Sequence, residues 1–488
     1  MKLPEDAERR DEPAALGDVS GGAFRSEAHR LVDWISRYLE GAERYPVLSR
    51  VRPGEIQRAL PPAPPPRAEP LEAILADVER VLVPGLTHWN PPGFFAYFAN
   101  SSPGPAVLAE ALAAAFNANA MLWKTAPAAT ELELVVLDWL RQMLGLPAGL
   151  FGVIQDTAST STLVALAAAR EAVPGLDVRR RGLVGQARLR MYASDQAHSS
   201  VEKAGIVLGI GQDGLRTIPV DDEYRMQTAA LARAIAEDRA AGFTPFAVTA
   251  TVGTTSTTSI DPVPAIADVC AREGLWLHVD TAYAGSAAVV PELRWVLAGC
   301  ERADSLVVNP HKWMFVPVDL SVLYTRRPEV VRQAFSVLPE YLKTAEDAAA
   351  PNLMDYGVSL GRRFRALKLW MVIRAFGAEG IAARLREHVR LAGLFRGLVE
   401  ADPGFEIAAP SPLSVVCFRA RFAGTSPEEQ DRRNAEMMEA VNATGEAYLS
   451  HTKLKGRTVL RLAVGNLRTE ERHVRRAWEL IQDAAARR

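Results

Sequence analysis

The sequence predicts an α/β protein with a mostly parallel central sheet, a helical arm before it and a small α+β domain after it. From about Pro105, apolar helical stretches alternate with short β-branched runs, the pattern of a parallel-rich sheet. From about Ala366 this gives way to long helices and then two strands. At 488 residues the chain exceeds what one core usually holds. The expected divisions are an arm over 1–103, a large domain over 104–365 and a small domain over 366–488.

Within the arm, Phe24 to Leu39 places Leu31, Trp34, Ile35 and Tyr38 at helical spacing with a polar reverse face. Pro61 to Pro70 is too poor in amide donors for helix or sheet, and a second helix is expected over Leu71 to Leu82. Helices joined by such an extended segment cannot bury both faces alone, so the arm is expected to lie against another subunit. In the large domain, helices are expected over Glu131 to Leu144 and Ser159 to Ala172. Strands are expected over Leu189 to Ala193, Leu215 to Val220, Phe246 to Val252, Leu275 to Val279 and Leu306 to Val308. The small domain should hold helices over Leu367 to Phe376 and Ile381 to Glu400, then strands over Ser414 to Arg419 and Thr458 to Val464.

Bulk properties narrow the function. A formal charge of −2 offers no sustained positive field, which argues against nucleic acid or an anionic membrane and for a small-molecule ligand. Cys270, Cys300 and Cys417 are odd in number and far apart, as expected of reduced thiols in a cytoplasmic enzyme. Met1 to Asp18 lacks the apolar core of a signal peptide or anchor, and no apolar run reaches the roughly 20 residues of a membrane span. No Cys/His cluster has metal-ligand spacing, so no metal is expected. Gly209, Gly211 and Gly214 satisfy GxGxxG, but the dinucleotide fingerprint needs a helix opening at the glycines. Leu215 to Val220 reads instead as a strand, so these glycines are expected in turns.

The chemistry centres on Lys312, which closes the apolar approach Leu306-Val307-Val308 within Asn309-Pro310-His311-Lys312-Trp313. A lysine is inert while protonated, and desolvation at a strand's end can free its amine to form an imine. Asp280 ends another apolar run and opens Asp280-Thr281-Ala282-Tyr283. Alone it would more often be a helix cap. Paired with Lys312, about one strand, helix and strand later, it supplies what pyridoxal phosphate requires: an amine for the aldehyde and an acid partner for the ring nitrogen.

Asp195-Gln196-Ala197-His198-Ser199-Ser200, His278-Val279-Asp280-Thr281-Ala282-Tyr283-Ala284-Gly285-Ser286 and Asn309-Pro310-His311-Lys312-Trp313 together resemble the group II pyridoxal-phosphate decarboxylases, most closely the aromatic-L-amino-acid decarboxylases. The likeness runs from Leu31-Val32-Asp33-Trp34 to the closing helix around Trp478. It implies the aspartate-aminotransferase-like fold, fold type I, in an intertwined homodimer with active sites at the subunit interface. It also implies a phosphate site at Thr157, Ala158 and Ser159 with a contact from Asn309, and places Thr251 and His311 beside the cofactor. His198 would stack on one ring face and help steer protonation, and Ala282 would pack on the other. Asp156 and Thr157 replace the glycine and serine often found there, so Asp156 is expected to point away from the phosphate. Tyr341, in an expected lid, would protonate the carbanion left after carbon dioxide departs.

Trp89, Phe94, Phe95, Tyr97, Phe98 and Trp123 form an aromatic set suited to a flat side chain, although such clusters are more often plain core. By its place in the resemblance it matches a substrate entrance, with Trp89, Phe98, Ala99, Asn100, Asn119 and Met121 as contacts. Ala99-Asn100, Asn119 and Met121 depart from the family's usual residues and make the pocket roomier and more polar. The expected reaction is decarboxylation of tryptophan, tyrosine, dihydroxyphenylalanine or phenylalanine. An aldehyde synthase, a decarboxylase of another amino acid, an aminotransferase and an inactive homologue remain as rivals.

Overall fold

The computed structural model describes residues 18–337, 346 and 349–487. The chain divides into two compact units, Met1–Tyr45 with Ser49–Thr87, and Pro46–Leu48 with His88–Arg488.

In the first unit the helix Gly21–Glu40 starts where Ser20 Oγ accepts the Ala23 N–H at 3.2 Å, satisfying one of the free amides of the first turn. Trp34 and Tyr38, one turn apart, stack at 5.3 Å. No residue of this helix is buried, and Phe24, Leu31 and Val32 remain exposed. The helix Leu71–Asp77 continues into a wider turn over Val78–Leu82, so the second expected helix is present in two windings. Residues 61–70 form neither helix nor strand, as their prolines dictate.

The second unit is built on a seven-stranded sheet. Its strands are β1 (Phe151–Gln155), β2 (Leu189–Ser194), β3 (Leu215–Ile218), β4 (Thr244–Thr251), β5 (Trp276–Asp280), β6 (Ser305–Val308) and β7 (Ser321–Thr325), in the order β1-β7-β6-β5-β4-β2-β3. Neighbours from β3 through β6 pair in parallel, whereas β7 is antiparallel to both β6 and β1. Hence β1, β2, β4, β5 and β6 all point the same way, and their carboxyl ends share one edge. Every residue of β5, β6 and β7 is buried, the signature of strands covered on both faces. Strands β1 and β7 lie outside the set expected from the sequence. Gly209 and Gly211 adopt positive φ in the turn before β3, so the GxGxxG run is indeed punctuation.

The segment from His88 to Pro103, expected with the arm, belongs to this second unit. Its backbone is the reason: Phe95 N–H donates to Tyr448 O at 3.0 Å, Tyr448 N–H to Gly93 O at 3.0 Å, and Ala463 N–H to Phe95 O at 2.9 Å. Only glycine fits at 93, because a Cβ there would lie 2.0 Å from the Glu446 carbonyl oxygen. The two helices expected after Ala366 are both present within Ala366–Ala401, separated at Gly377, whose φ of +65° and ψ of 163° are not helical. Beyond it β8 (Phe405–Ile407), β9 (Val415–Ala420), β10 (Ser450–Leu454) and β11 (Arg457–Ala463) form an antiparallel sheet ordered β10-β11-β9-β8. The Phe395 ring meets Phe418 and Trp478 edge-on at 5.2 and 5.7 Å and centres this smaller core.

Candidate active site

The shared edge of the sheet opens on a cavity of about 160 Å³. Apart from Phe98, the walls come from the carboxyl ends of different strands. The turn after β1 brings Thr157, Ala158 and Ser159; the loop after β2 brings His198; β4 ends in Thr251; β5 ends in Asp280 and runs on to Ala282; β6 leads to Asn309, His311 and Lys312. Register sets their spacing, since Thr251 pairs with Asp280 and Asp280 with Val307 across β4, β5 and β6. A ligand crevice at the carboxyl ends of parallel strands is the general rule for open α/β sheets.

Asp280 is 5% exposed and accepts the Ala282 N–H at 3.0 Å. Burial lowers the Lys312 ammonium below the ordinary lysine value, and the Asp280 carboxylate partly opposes that. Lys312 Nζ sits 5.3 Å from the centre of the Phe98 ring, a cation over an aromatic face. Phe98 stacks on Tyr283 at 3.8 Å, and Tyr283 on Trp313 at 4.8 Å. Tyr283 also hydrogen-bonds Ser414. Burial depresses His198 as well. Because the Ser200 N–H donates to His198 Nδ1 at 3.2 Å, the neutral ring carries its proton on Nε2. His311 is held at about 4 by burial and accepts the Leu320 N–H on Nδ1 at 2.9 Å.

Thr157 precedes the helix Ala158–Glu171, whose first amides have no partner within the helix. Asp156 is not on the cavity wall; its Oδ1 accepts the Thr157 N–H at 2.5 Å. Thr251 Oγ1 and Asn309 Oδ1 are buried at the cavity without a hydrogen-bond partner among the described residues. Gly253, at φ +86°, lines the cavity too, and a Cβ there would come 2.5 Å from Ala284 Cβ.

Of the residues expected to meet the substrate, Phe98 lines the cavity, and Trp89, Ala99, Asn100, Asn119 and Met121 do not. Trp89 stacks on Phe94 at 4.3 Å, and Ala99 is buried beside Phe94, Ala96 and Val47. Asn100 is half-buried with Oδ1 unpartnered among the described residues. Asn119 Oδ1 accepts the Arg362 N–H at 2.9 Å, and Met121 packs on Leu122 and Met354. Tyr341 lies outside the described residues. Tyr283 and Arg461 were missed. The Arg461 guanidinium, on β11, is 3% exposed and lies 5.5 Å from the Phe98 ring centre, bonding Ser256 O and Ser450 Oγ. Tyr283 sat inside a motif already singled out, whereas one arginine in an apolar strand carries no local signal.

The family model described as the pyridoxal-dependent decarboxylase conserved domain matches residues 53–421. The chain belongs to this family. It is a pyridoxal-phosphate-dependent carboxy-lyase of fold type I. The decarboxylase is 42% identical to tryptophan decarboxylase TDC1 of Camptotheca acuminata, over 97% of each chain. It is 41% identical to phenylacetaldehyde synthase of Arabidopsis thaliana, covering 96% of this chain and 97% of that one. A crystal structure of Oryza sativa TDC with PLP and tryptamine superposes with a TM-score of 0.93 at 41% identity, over 97% of the decarboxylase and 99% of that chain. The cavity fits the cofactor chemically. It offers a depressed amine, a buried carboxylate, free helix amides and unpartnered hydroxyl and amide oxygens, all on one wall set.

Proposed function

We propose that this decarboxylase removes the carboxyl group of an aromatic L-amino acid to give the amine and carbon dioxide. The observation that carries the reading is that Asp280 and Lys312 line one cavity from adjacent strand ends. Lys312 would hold the cofactor aldehyde, and Asp280 would accept the proton-bearing ring nitrogen. The amides and hydroxyls of Thr157, Ala158 and Ser159 would hold the phosphate, helped by Asn309. When bound, pyridoxal phosphate supplies an electron-accepting ring for the charge released on bond cleavage.

The chain's own groups do the rest. Lys312, its ammonium lowered by burial, can give up and take back a proton at Nζ. His198, depressed toward neutrality with its proton on Nε2, can donate a hydrogen bond over the cavity. Ala282 keeps one wall flat, and Thr251 and His311 border the same space. Phe98 and its stacked partner Tyr283 offer an apolar face to an aromatic side chain. Trp89, Ala99, Asn100, Asn119 and Met121 would reach substrate within a homodimer, and the exposed Phe24, Leu31 and Val32 of the first helix support that assembly. Tyr341 would protonate the substrate carbon, and the enzyme would work in the cytoplasm.

The similarity to tryptophan decarboxylase supports an aromatic substrate, and that to phenylacetaldehyde synthase keeps an oxygen-consuming variant as the second reading. The purified enzyme is to be given tryptophan, tyrosine, dihydroxyphenylalanine, phenylalanine, leucine and glutamate, with amine, carbon dioxide and peroxide followed together. Amine matching carbon dioxide, with an aromatic acid preferred, is the expected result. Stoichiometric peroxide and aldehyde establish the second reading, and preference for leucine or glutamate overturns both.

A further inference from the structure

Ten residues beyond Thr251, the carboxylate of Asp261 is 2% exposed and has two partners among the described residues, both backbone amides: Oδ2 accepts the Thr251 N–H at 2.8 Å and Oδ1 the Met226 N–H at 2.7 Å. The Asp261 N–H returns a bond to Thr251 O at 3.0 Å, so both peptide groups of Thr251 are gripped by one residue. Just beyond, Val252 bridges Ile260, and the Val252 N–H donates to Asp280 O at 2.8 Å. The pinned residue is the one whose Oγ1 is buried at the cavity with no partner among the described residues.

A buried carboxylate is costly unless its charge is used. Burial raises the Asp261 carboxyl to about 6; the two amides oppose that rise, while Asp221 and Asp195 add to it. A turn needing only to close would be served by asparagine or serine at less cost. What the carboxylate alone supplies is two acceptors and no donor, so that both amides are satisfied together.

We propose that Asp261 is a positioning residue of the decarboxylase: by clamping the Thr251 backbone it aims the Thr251 hydroxyl into the cavity, where that hydroxyl meets the bound cofactor or substrate. This rests on the cavity being the active site. Asparagine at 261 keeps the shape but turns one acceptor into an NH₂ donor facing an amide N–H, and Thr251 must shift to relieve it.

The test is a double-mutant cycle on the holoenzyme with Asp261→Asn, Thr251→Val and the pair together. Two quantities are read, the rate at which pyridoxal phosphate dissociates, by loss of its bound absorbance, and kcat/KM. Each single variant is expected to change at least one of them roughly 10-fold, the scale of a lost charged hydrogen bond. The double variant should be no worse than Thr251→Val alone. If the Asp261→Asn effect persists undiminished in the Thr251→Val background, or is absent, the role of Asp261 is overturned. If Thr251→Val leaves both quantities at the wild-type level, the proposed role of the hydroxyl is overturned, whereas failure of the active-site placement itself is read separately, from full activity in Lys312→Ala. Should Asp261→Asn not fold, Asp261→Glu, which keeps the charge but displaces both oxygens, enters the same cycle with the same expectation.

Discussion

Trp313 donates its indole N–H to Nδ1 of His388 at 2.9 Å, which ties the residue after Lys312 to the long helix Ala366–Ala401. His388 is fully enclosed, and burial holds it at about 4, so it stays a neutral acceptor at ordinary pH. His388→Phe keeps the volume and removes the acceptor, leaving a buried N–H unpaired. The expected loss is about 1–3 kcal/mol of stability, read by thermal unfolding. Turnover should fall as well, because Trp313 anchors the ring stack on which Lys312 rests.

Three enclosed histidines give the fold an acid-sensitive range. His278, His311 and His388 are each lowered to about 4 by burial, whereas an unfolded histidine titrates near 6.5. Between those values the unfolded chain binds more protons, so stability is complete above about 6.5 and is lost as pH falls toward 4. Asp261 works the other way, since its folded value near 6 favours the protonated state over the same span. Three such histidines outweigh one such carboxyl. Denaturant midpoints are expected to drop from pH 7 to pH 5, and the drop should shrink in His388→Phe.

Lys312→Ala removes the lowered amine from the cavity, together with its attraction to the Asp280 carboxylate. The variant should fold with unchanged far-ultraviolet circular dichroism and lose turnover by a factor of at least about 10³, the scale of a missing nucleophile. Substantial residual activity would mean that another amine forms the imine.

Gly253→Ala probes the shape of the wall. Its φ of +86° disfavours any side chain, and the added methyl would meet Ala284 Cβ at 2.5 Å. A loss of about 1–3 kcal/mol is expected from strain and overpacking together. Cofactor release should quicken in parallel, measured on the holoenzyme by absorbance.

Much of this architecture was legible in the sequence because the buried strands are apolar throughout and end abruptly in chemistry. Leu306-Val307-Val308 followed by Asn309 to Lys312, and the run closing at Asp280, announce both a strand and its working end. Strands β1 and β7 escaped because Phe-Gly-Val-Ile-Gln and Ser-Val-Leu-Tyr-Thr are short and flanked by polar turns, with no motif to mark them. The two helices expected after Ala366 were legible as well, because the apolar periodicity lapses around Gly377, where the positive φ breaks the helical path. Trp89, Ala99, Asn119 and Met121 were singled out by place in a motif order, and such order does not say which neighbours a side chain finds. Arg461 went unnoticed because its environment is assembled from Phe98, Ser256 and Ser450, far from it in sequence.

The strand ends that meet at the cavity come from stretches as distant as Thr157 and Lys312, and the sheet between them is complete only when β7 has inserted between β1 and β6. A chain that has collapsed but not yet seated that antiparallel strand has a phosphate-binding turn and a reactive amine on separate pieces. Capture of the coenzyme is therefore expected to come late in maturation, after the distant segments that carry its contacts have closed. The absorbance of bound cofactor is therefore expected to report a finished sheet, and its return after denaturation to lag the recovery of helix.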